Sequence, residues 1–274
     1  MDYYIKNGDI FLRKQDLSLS ETLDCGQAFR WESLDGGRSY HGFMLDKPLT
    51  VSEDDESIVF HNVTEDDFLN IWADYFDLST DYGELKRRFS EDATLKIACE
   101  FAGGIRLLRQ DKWEALCSFI ISQNNNIPRI KGIISRLCES FGDKTGAGFT
   151  FPPAKRLAEL ECCDLSPLRA GFRARYIIDA AKKINSGEIK LEDAAILPLD
   201  EARKELMKIC GVGVKVADCA MLYGMHRLEF FPVDVWIRRV LERYYPNGLP
   251  ECIKGFEGIA QQYLFHYVRN TDGF

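Results

Sequence analysis

Over the first sixty or so residues, apolar positions come in short, roughly alternating runs: DIFLRKQ, QAFRWESL, RSYHGFML and SIVFHN, broken by Asp and Gly. Alternation sends successive side chains to opposite faces, so this stretch predicts antiparallel strands joined by hairpins. At Thr64 the period changes. TEDDFLNIWADYF opens with a hydroxyl and three acids and then repeats its apolar residues at helical spacing, which predicts a capped helix. DKWEALCSFIISQ, PRIKGIISRLCESFG, RARYIIDAAKKINSG, LDEARKELMKIC and DVWIRRVLERYY carry apolar i, i+3, i+4 faces, with Gly, Asn or Pro at the breaks. The expected class is α+β, with an antiparallel sheet domain that includes the first helices over residues 1–100 and a larger all-helical domain over 101–274.

Charge sharpens that division. The chain of 274 residues has a formal net charge of −8, but residues 1–100 carry about −12 and residues 101–274 about +4. A polyanionic partner is therefore expected to meet the C-terminal part. The nine cysteines are scattered and odd in number, without metal-ligand spacing, so reduced thiols in a cytoplasm are expected, with no zinc and no iron–sulfur cluster. No stretch of 18 apolar residues and no basic-then-apolar leader directs the chain to a membrane.

ICGVGVKVADC, Ile209 to Cys219, places two glycines between the end of one apolar helix and the start of another. This predicts a helix-hairpin-helix over about 199–224, with Cys210 to Val214 as the connection. Gly211 and Gly213 let the backbone turn tightly, so that N–H groups there and at Val216 point outward at a helix N-terminus, a cradle for one phosphate. Lys215 falls in the first turn of the second helix, where the positive end of the dipole disfavours an ammonium. A lysine placed there at a cost in stability is a candidate nucleophile. Asp234, in FFPVDVWIRRV, stands where the next helix begins; it is expected to cap that helix and to stabilise a nearby developing cation.

GVGVKVADC with the aspartate of PVDV 19 residues after the lysine resembles the catalytic signature of the helix-hairpin-helix 8-oxoguanine DNA glycosylase/lyases. CGQAFRW, SQNNNIPRI, GFRARY and AQQYLF look like further segments of that family in family order. The resemblance implies a sheet domain packed on the helical domain, Lys215 as the nucleophile and Asp234 as its electrostatic partner. It also implies that the Gly26 carbonyl accepts from N7–H of the damaged base, that Gln261 reads its Watson–Crick edge, and that Phe265 and Cys219 sandwich its ring. On the other strand, Asn124 would fill the vacated space, Phe172 would act as a wedge, and Arg129 and Arg173 would bind the orphaned cytosine. The implied partner is double-stranded DNA containing 8-oxoguanine, bound by a monomer without metal or redox cofactor.

Four positions depart from the family pattern: Trp236 where a histidine is usual, Val268 where an acid is usual, Phe172 for tyrosine and Cys210 for proline. A monofunctional alkylbase glycosylase would not need Lys215. A non-catalytic hairpin module would not need Asp234 or a base pocket.

Overall fold

A computed structural model describes residues 1–271. Strands β1 (Tyr3–Lys6), β2 (Asp9–Arg13), β3 (Glu32–Ser33), β4 (Ser39–Met44), β5 (Lys47–Glu53) and β6 (Ser57–His61) form one antiparallel sheet in the order β1-β2-β6-β5-β4-β3. The register pairs Ile10 with Phe60, Phe60 with Val51 and Val51 with Tyr40, so four fully buried side chains run in one row across β2, β6, β5 and β4. The alternation of the sequence is thus the alternation of the sheet's two faces. Against the buried face pack Trp31, Phe68, Trp72 and Phe76. The Trp31 Nε1–H donates to the Tyr75 hydroxyl at 2.7 Å, so the indole is buried without an orphaned donor.

Thr64 caps the first long helical segment as its sequence requires, its hydroxyl accepting from the Asp67 N–H at 3.1 Å. Packing then divides the chain differently from charge. Tyr82, Leu85, Phe89, Leu95 and Ala98, all before residue 100, pack in the helical core, whereas Leu108 packs beneath the sheet.

The two cores meet at a fully buried glutamine. Gln27 donates through Nε2 to the Thr22 and Arg106 carbonyls at 2.9 and 2.8 Å and accepts at Oε1 from the Leu108 N–H at 2.9 Å. These bonds tie the preceding turn to both lobes. Gly26, in that turn, has φ +91°, where a side chain is rarely tolerated.

The hairpin joins helices Leu199–Leu206 and Val214–Met225. Its connection spans residues 207–213 and is longer than the Cys210–Val214 link read from the sequence, because the first helix ends in turns after Leu206 rather than running to Ile209. The two glycines have different reasons. Gly211 has φ +77°, and a Cβ there would lie 2.4 Å from the Tyr176 ring. Gly213 is extended, with φ −99°, so its role is not a left-handed turn; it caps the second helix and faces open space. Arg203 of the first helix clamps the buried Asp218 of the second through Nε and Nη2 at 2.6 and 3.1 Å. Burial pushes the Asp218 carboxyl up and the guanidinium opposes it, so the pair holds the hairpin closed only while both partners are present.

Candidate active site

Two helix N-termini face one cavity of about 840 Å³. From the hairpin come Gly213, Lys215 and Val216; from the helix Val235–Tyr244 and its cap come Asp234, Val235 and Trp236. The N–H groups of Gly213, Val214, Lys215 and Val216 have no partner among the described hydrogen bonds. They are the ordinary unsatisfied donors of a helix start, and with the helix dipole they make this lip of the cavity receptive to an anion. Gly211 is exposed beside them.

Lys215 is half-buried, with its amine 5.5 Å above the centroid of the Phe119 ring. Phe119 stacks on Tyr223 at 4.9 Å and meets Phe29 edge-on at 5.9 Å, so the amine rests on a packed aromatic floor that restricts where it can reach. Asp234 caps its helix with one oxygen only: Oδ1 accepts from the Trp236 and Ile237 N–H groups at 3.0 and 2.8 Å. Oδ2 takes part in none of the described hydrogen bonds or ion pairs. The structural and electrostatic expectations for Asp234 are therefore compatible, because the cap uses half of the carboxylate. Lys215 and Asp234 line the same cavity, and the described ion pairs include none between them.

Cys219 lies behind Lys215, buried and outside the cavity lining. Burial pushes its thiol up to about 11 against the opposing pull of Lys215, so it presents a neutral sulfur at neutral pH rather than a second nucleophile. Gln261 is also buried and off the lining. Its Nε2 donates to the Pro232 carbonyl at 3.1 Å, while its Oε1 is buried without any hydrogen-bond partner. An orphaned buried acceptor of this kind costs about 1–3 kcal/mol unless a ligand satisfies it. Gly26 and Phe265 line the cavity directly.

The residues expected to meet the opposite strand are divided. Asn124 and Phe172 line the cavity and are exposed, Asn124 at φ +47°, a left-handed conformation that asparagine tolerates better than most residues. Phe172 is 47% exposed, braced edge-on by Tyr176 at 5.7 Å and stacked against the Arg173 guanidinium, whose carbon stands 4.5 Å over the ring. Arg129 and Arg173 do not line the cavity. Arg129 is exposed and follows the cap made by Asn126, whose Oδ1 accepts from the Arg129 N–H at 3.0 Å. Arg173 is buried, with its donors turned onto backbone carbonyls: Gln123 from Nε at 2.8 Å and also from Nη2, Asn124 from Nη2 at 2.7 Å, and Ala170 from Nη1 at 3.1 Å. In this structure it braces the Asn124 loop rather than offering a free fork. Burial, and secondarily the neighbouring Arg129 charge, pull its pKa down.

Three lining residues had no signal that sequence reasoning used. Phe119 reads as one more apolar residue of SFIISQ. Arg238 and Arg269 read as helix-surface charges. Only the fold brings them to Lys215, Asp234 and Gly26.

A lysine-bearing hairpin and a capped aspartate around one cavity agree with the class matched by residues 117–249, the HhH-GPD superfamily of base excision DNA repair proteins. Residues 9–116 match the 8-oxoguanine DNA glycosylase N-terminal domain. The N-glycosylase/DNA lyase of Saccharomyces cerevisiae is 32% identical over 277 residues, 88% of this chain and 71% of the relative. Among solved structures, MBOgg1 in complex with a low affinity DNA ligand superposes with a TM-score of 0.90 at 42% identity, over 98% of this chain and 99% of that one. The Clostridium acetobutylicum 8-oxoguanine glycosylase/lyase, in complex with double-stranded DNA containing cytosine opposite 8-oxoG, has a TM-score of 0.90 at 38% identity, with the same coverage. The chain belongs to the 8-oxoguanine DNA glycosylase family.

Proposed function

We propose that this protein excises 8-oxoguanine from duplex DNA and cleaves the resulting abasic strand, with Lys215 as the nucleophile. The observation that carries the assignment is the placement of the Lys215 amine and the Asp234 carboxylate on one cavity, each at a helix N-terminus. The amine attacks C1′ as the C1′–N9 bond breaks, and the base leaves with the bonding pair and takes up a proton. Loss of a proton from nitrogen and opening of the sugar give a Schiff base. The Schiff base acidifies the C2′ protons, and removal of one expels the 3′ phosphate by β-elimination. The Oδ2 oxygen of Asp234 stabilises the positive charge that develops at C1′, in a site whose dipoles are already fixed.

The Gly26 carbonyl accepts from N7–H, a proton that guanine lacks. The orphaned Oε1 of Gln261, buried just off the lining, is suited to accept from the base's Watson–Crick edge; Phe265 supplies apolar surface for the ring, and Cys219, buried behind Lys215, meets its other face once the base has opened the pocket. Asn124 and Phe172 enter the vacated duplex, Arg129 and a released Arg173 donate to the orphaned cytosine, and the N–H groups of Gly211, Gly213 and Val216 hold a backbone phosphate. The protein acts as a monomer on DNA in the cytoplasm or nucleoid; no described helix is long and apolar enough to cross a membrane.

Borohydride reduction in the presence of an 8-oxoguanine:cytosine duplex tests the assignment. The wild-type protein is expected to become covalently linked to DNA, and Lys215→Gln to bind the duplex without crosslinking. Crosslinking by the mutant at the wild-type level would remove Lys215 from this role.

A further inference from the structure

Arg269 is a cation in the base pocket that no sequence signal announces. It lies in the last turn of the helix Glu257–Asn270, four residues after Phe265, and its guanidinium carbon stands 5.8 Å over the Phe265 ring. Its Nη1 is 3.6 Å from the place a Cβ on Gly26 would occupy. The side chain therefore lies between the two residues that the proposed function gives to the damaged base, Phe265 and Gly26. It lines the same cavity as Lys215, and it takes part in none of the described hydrogen bonds or ion pairs. Arg173 shows the contrast: its donors are used on backbone within the protein, whereas those of Arg269 remain available.

The chemistry of the base explains what such a donor could meet. Around N7, 8-oxoguanine presents acceptor, donor, acceptor: O6, N7–H and O8. A carbonyl at Gly26 satisfies the central proton and has nothing to offer the oxygens on either side. A guanidinium carries donors only, and this one, on an exposed side chain that rests over Phe265, comes close to the Gly26 backbone.

We propose that Arg269 is a specificity-determining residue that donates to a carbonyl oxygen flanking N7–H, so that the pocket reads the modified edge with a paired acceptor and donor. This inference rests on the 8-oxoguanine reading above. Only the intact base supplies the contact, so base excision depends on Arg269 more steeply than cleavage of a strand whose base is already gone.

Single-turnover rates on an 8-oxoguanine:cytosine duplex and on a preformed abasic:cytosine duplex, for wild type, Arg269→Leu and Arg269→Lys, decide the matter. Excision by Arg269→Leu is expected to fall ~10- to 100-fold, the range for losing a hydrogen bond from a charged donor. That loss is expected to exceed the loss on the abasic strand at least about tenfold, with Arg269→Lys recovering part of it. Measurable cleavage of the abasic strand also reports that each variant is folded. Equal losses on the two substrates would make Arg269 a phosphate contact or a structural residue and overturn the proposal, as would no loss at all. A wild-type enzyme that cleaves the abasic strand and leaves 8-oxoguanine in place would instead overturn the substrate reading itself.

Discussion

The wall that carries Lys215 and Asp234 and the loop that carries Asn124 treat their polar groups in opposite ways. On the wall, reactive atoms are left over after structure is satisfied. Asp234 caps with one oxygen, the first N–H groups of the lysine helix have no described partner, and the Lys215 amine rests on the face of Phe119. In the loop the strongest donor is consumed: Arg173 ties Gln123, Asn124 and Ala170 together. On the proposed function, chemistry is built in before DNA arrives, while reading of the opposite base by Arg173 would require that existing hydrogen bonds be exchanged. Preorganised charge costs no reorganisation at the moment of reaction, whereas a donor that must first leave a carbonyl responds only to a partner that replaces it.

Asp234→Asn is the largest expected break in that contrast. Asparagine caps helices nearly as well as aspartate, so thermal stability should stay close to wild type. Excision, measured in single turnover, is expected to fall by ~10²- to 10³-fold because the carboxylate charge is gone. A mutant that unfolds, or one that excises normally, would make Asp234 only a cap.

Arg173→Ala tests the other side. Leaving the carbonyls of Gln123, Asn124 and Ala170 unbraced is expected to cost about 2 kcal/mol of stability, readable by denaturant titration. Excision opposite every base should weaken with it. Arg129→Ala leaves the brace intact, so its effect should be narrower. The preference for 8-oxoguanine opposite cytosine over adenine is expected to shrink about tenfold, chiefly through a slower cytosine reaction. If Arg173→Ala altered only the opposite-base ratio and left stability untouched, the distinction between brace and reader would collapse.

The smallest expected effect concerns the far end of the lysine helix. His226 ends that helix at φ +52°, with both ring nitrogens buried and without a hydrogen bond, and Nε2 3.7 Å from the buried Asp77 carboxylate. Burial lowers its pKa from the ordinary 6.5; Asp77 and Asp74 oppose the shift, and Arg109 adds to it. The folded form therefore binds the proton less readily than the unfolded chain. Its contribution to stability is complete above about pH 6.5 and is lost as pH falls below that value toward the lowered one. His226→Asn, which tolerates the same backbone conformation, is expected to flatten the stability profile between about pH 7 and pH 5. An unaltered slope in denaturant titrations over that range would show that the acid sensitivity resides elsewhere.

Much of the fold could be read from the chain because its signals act over a few residues. Alternation specified the strands, Thr64 and Asp234 announced helix starts that they do cap, and Gly211 marked a left-handed turn. Lys215 was conspicuous because a first-turn position is defined by local backbone alone. Gly213 shows the limit of that reasoning: beside Gly211 it looks equivalent, yet its backbone is extended and only Gly211 meets an aromatic ring. Tertiary structure alone decided what each functional side chain touches. Phe119 lies beneath a lysine 96 positions later, Arg269 reaches back across the whole chain to Gly26, and Arg173 is turned inward to carbonyls some fifty residues earlier. The physical reason is that dihedral preference and capping are properties of neighbouring peptide groups, whereas burial, an orphaned Gln261 oxygen or an available guanidinium depends on which distant surfaces the packed core brings together.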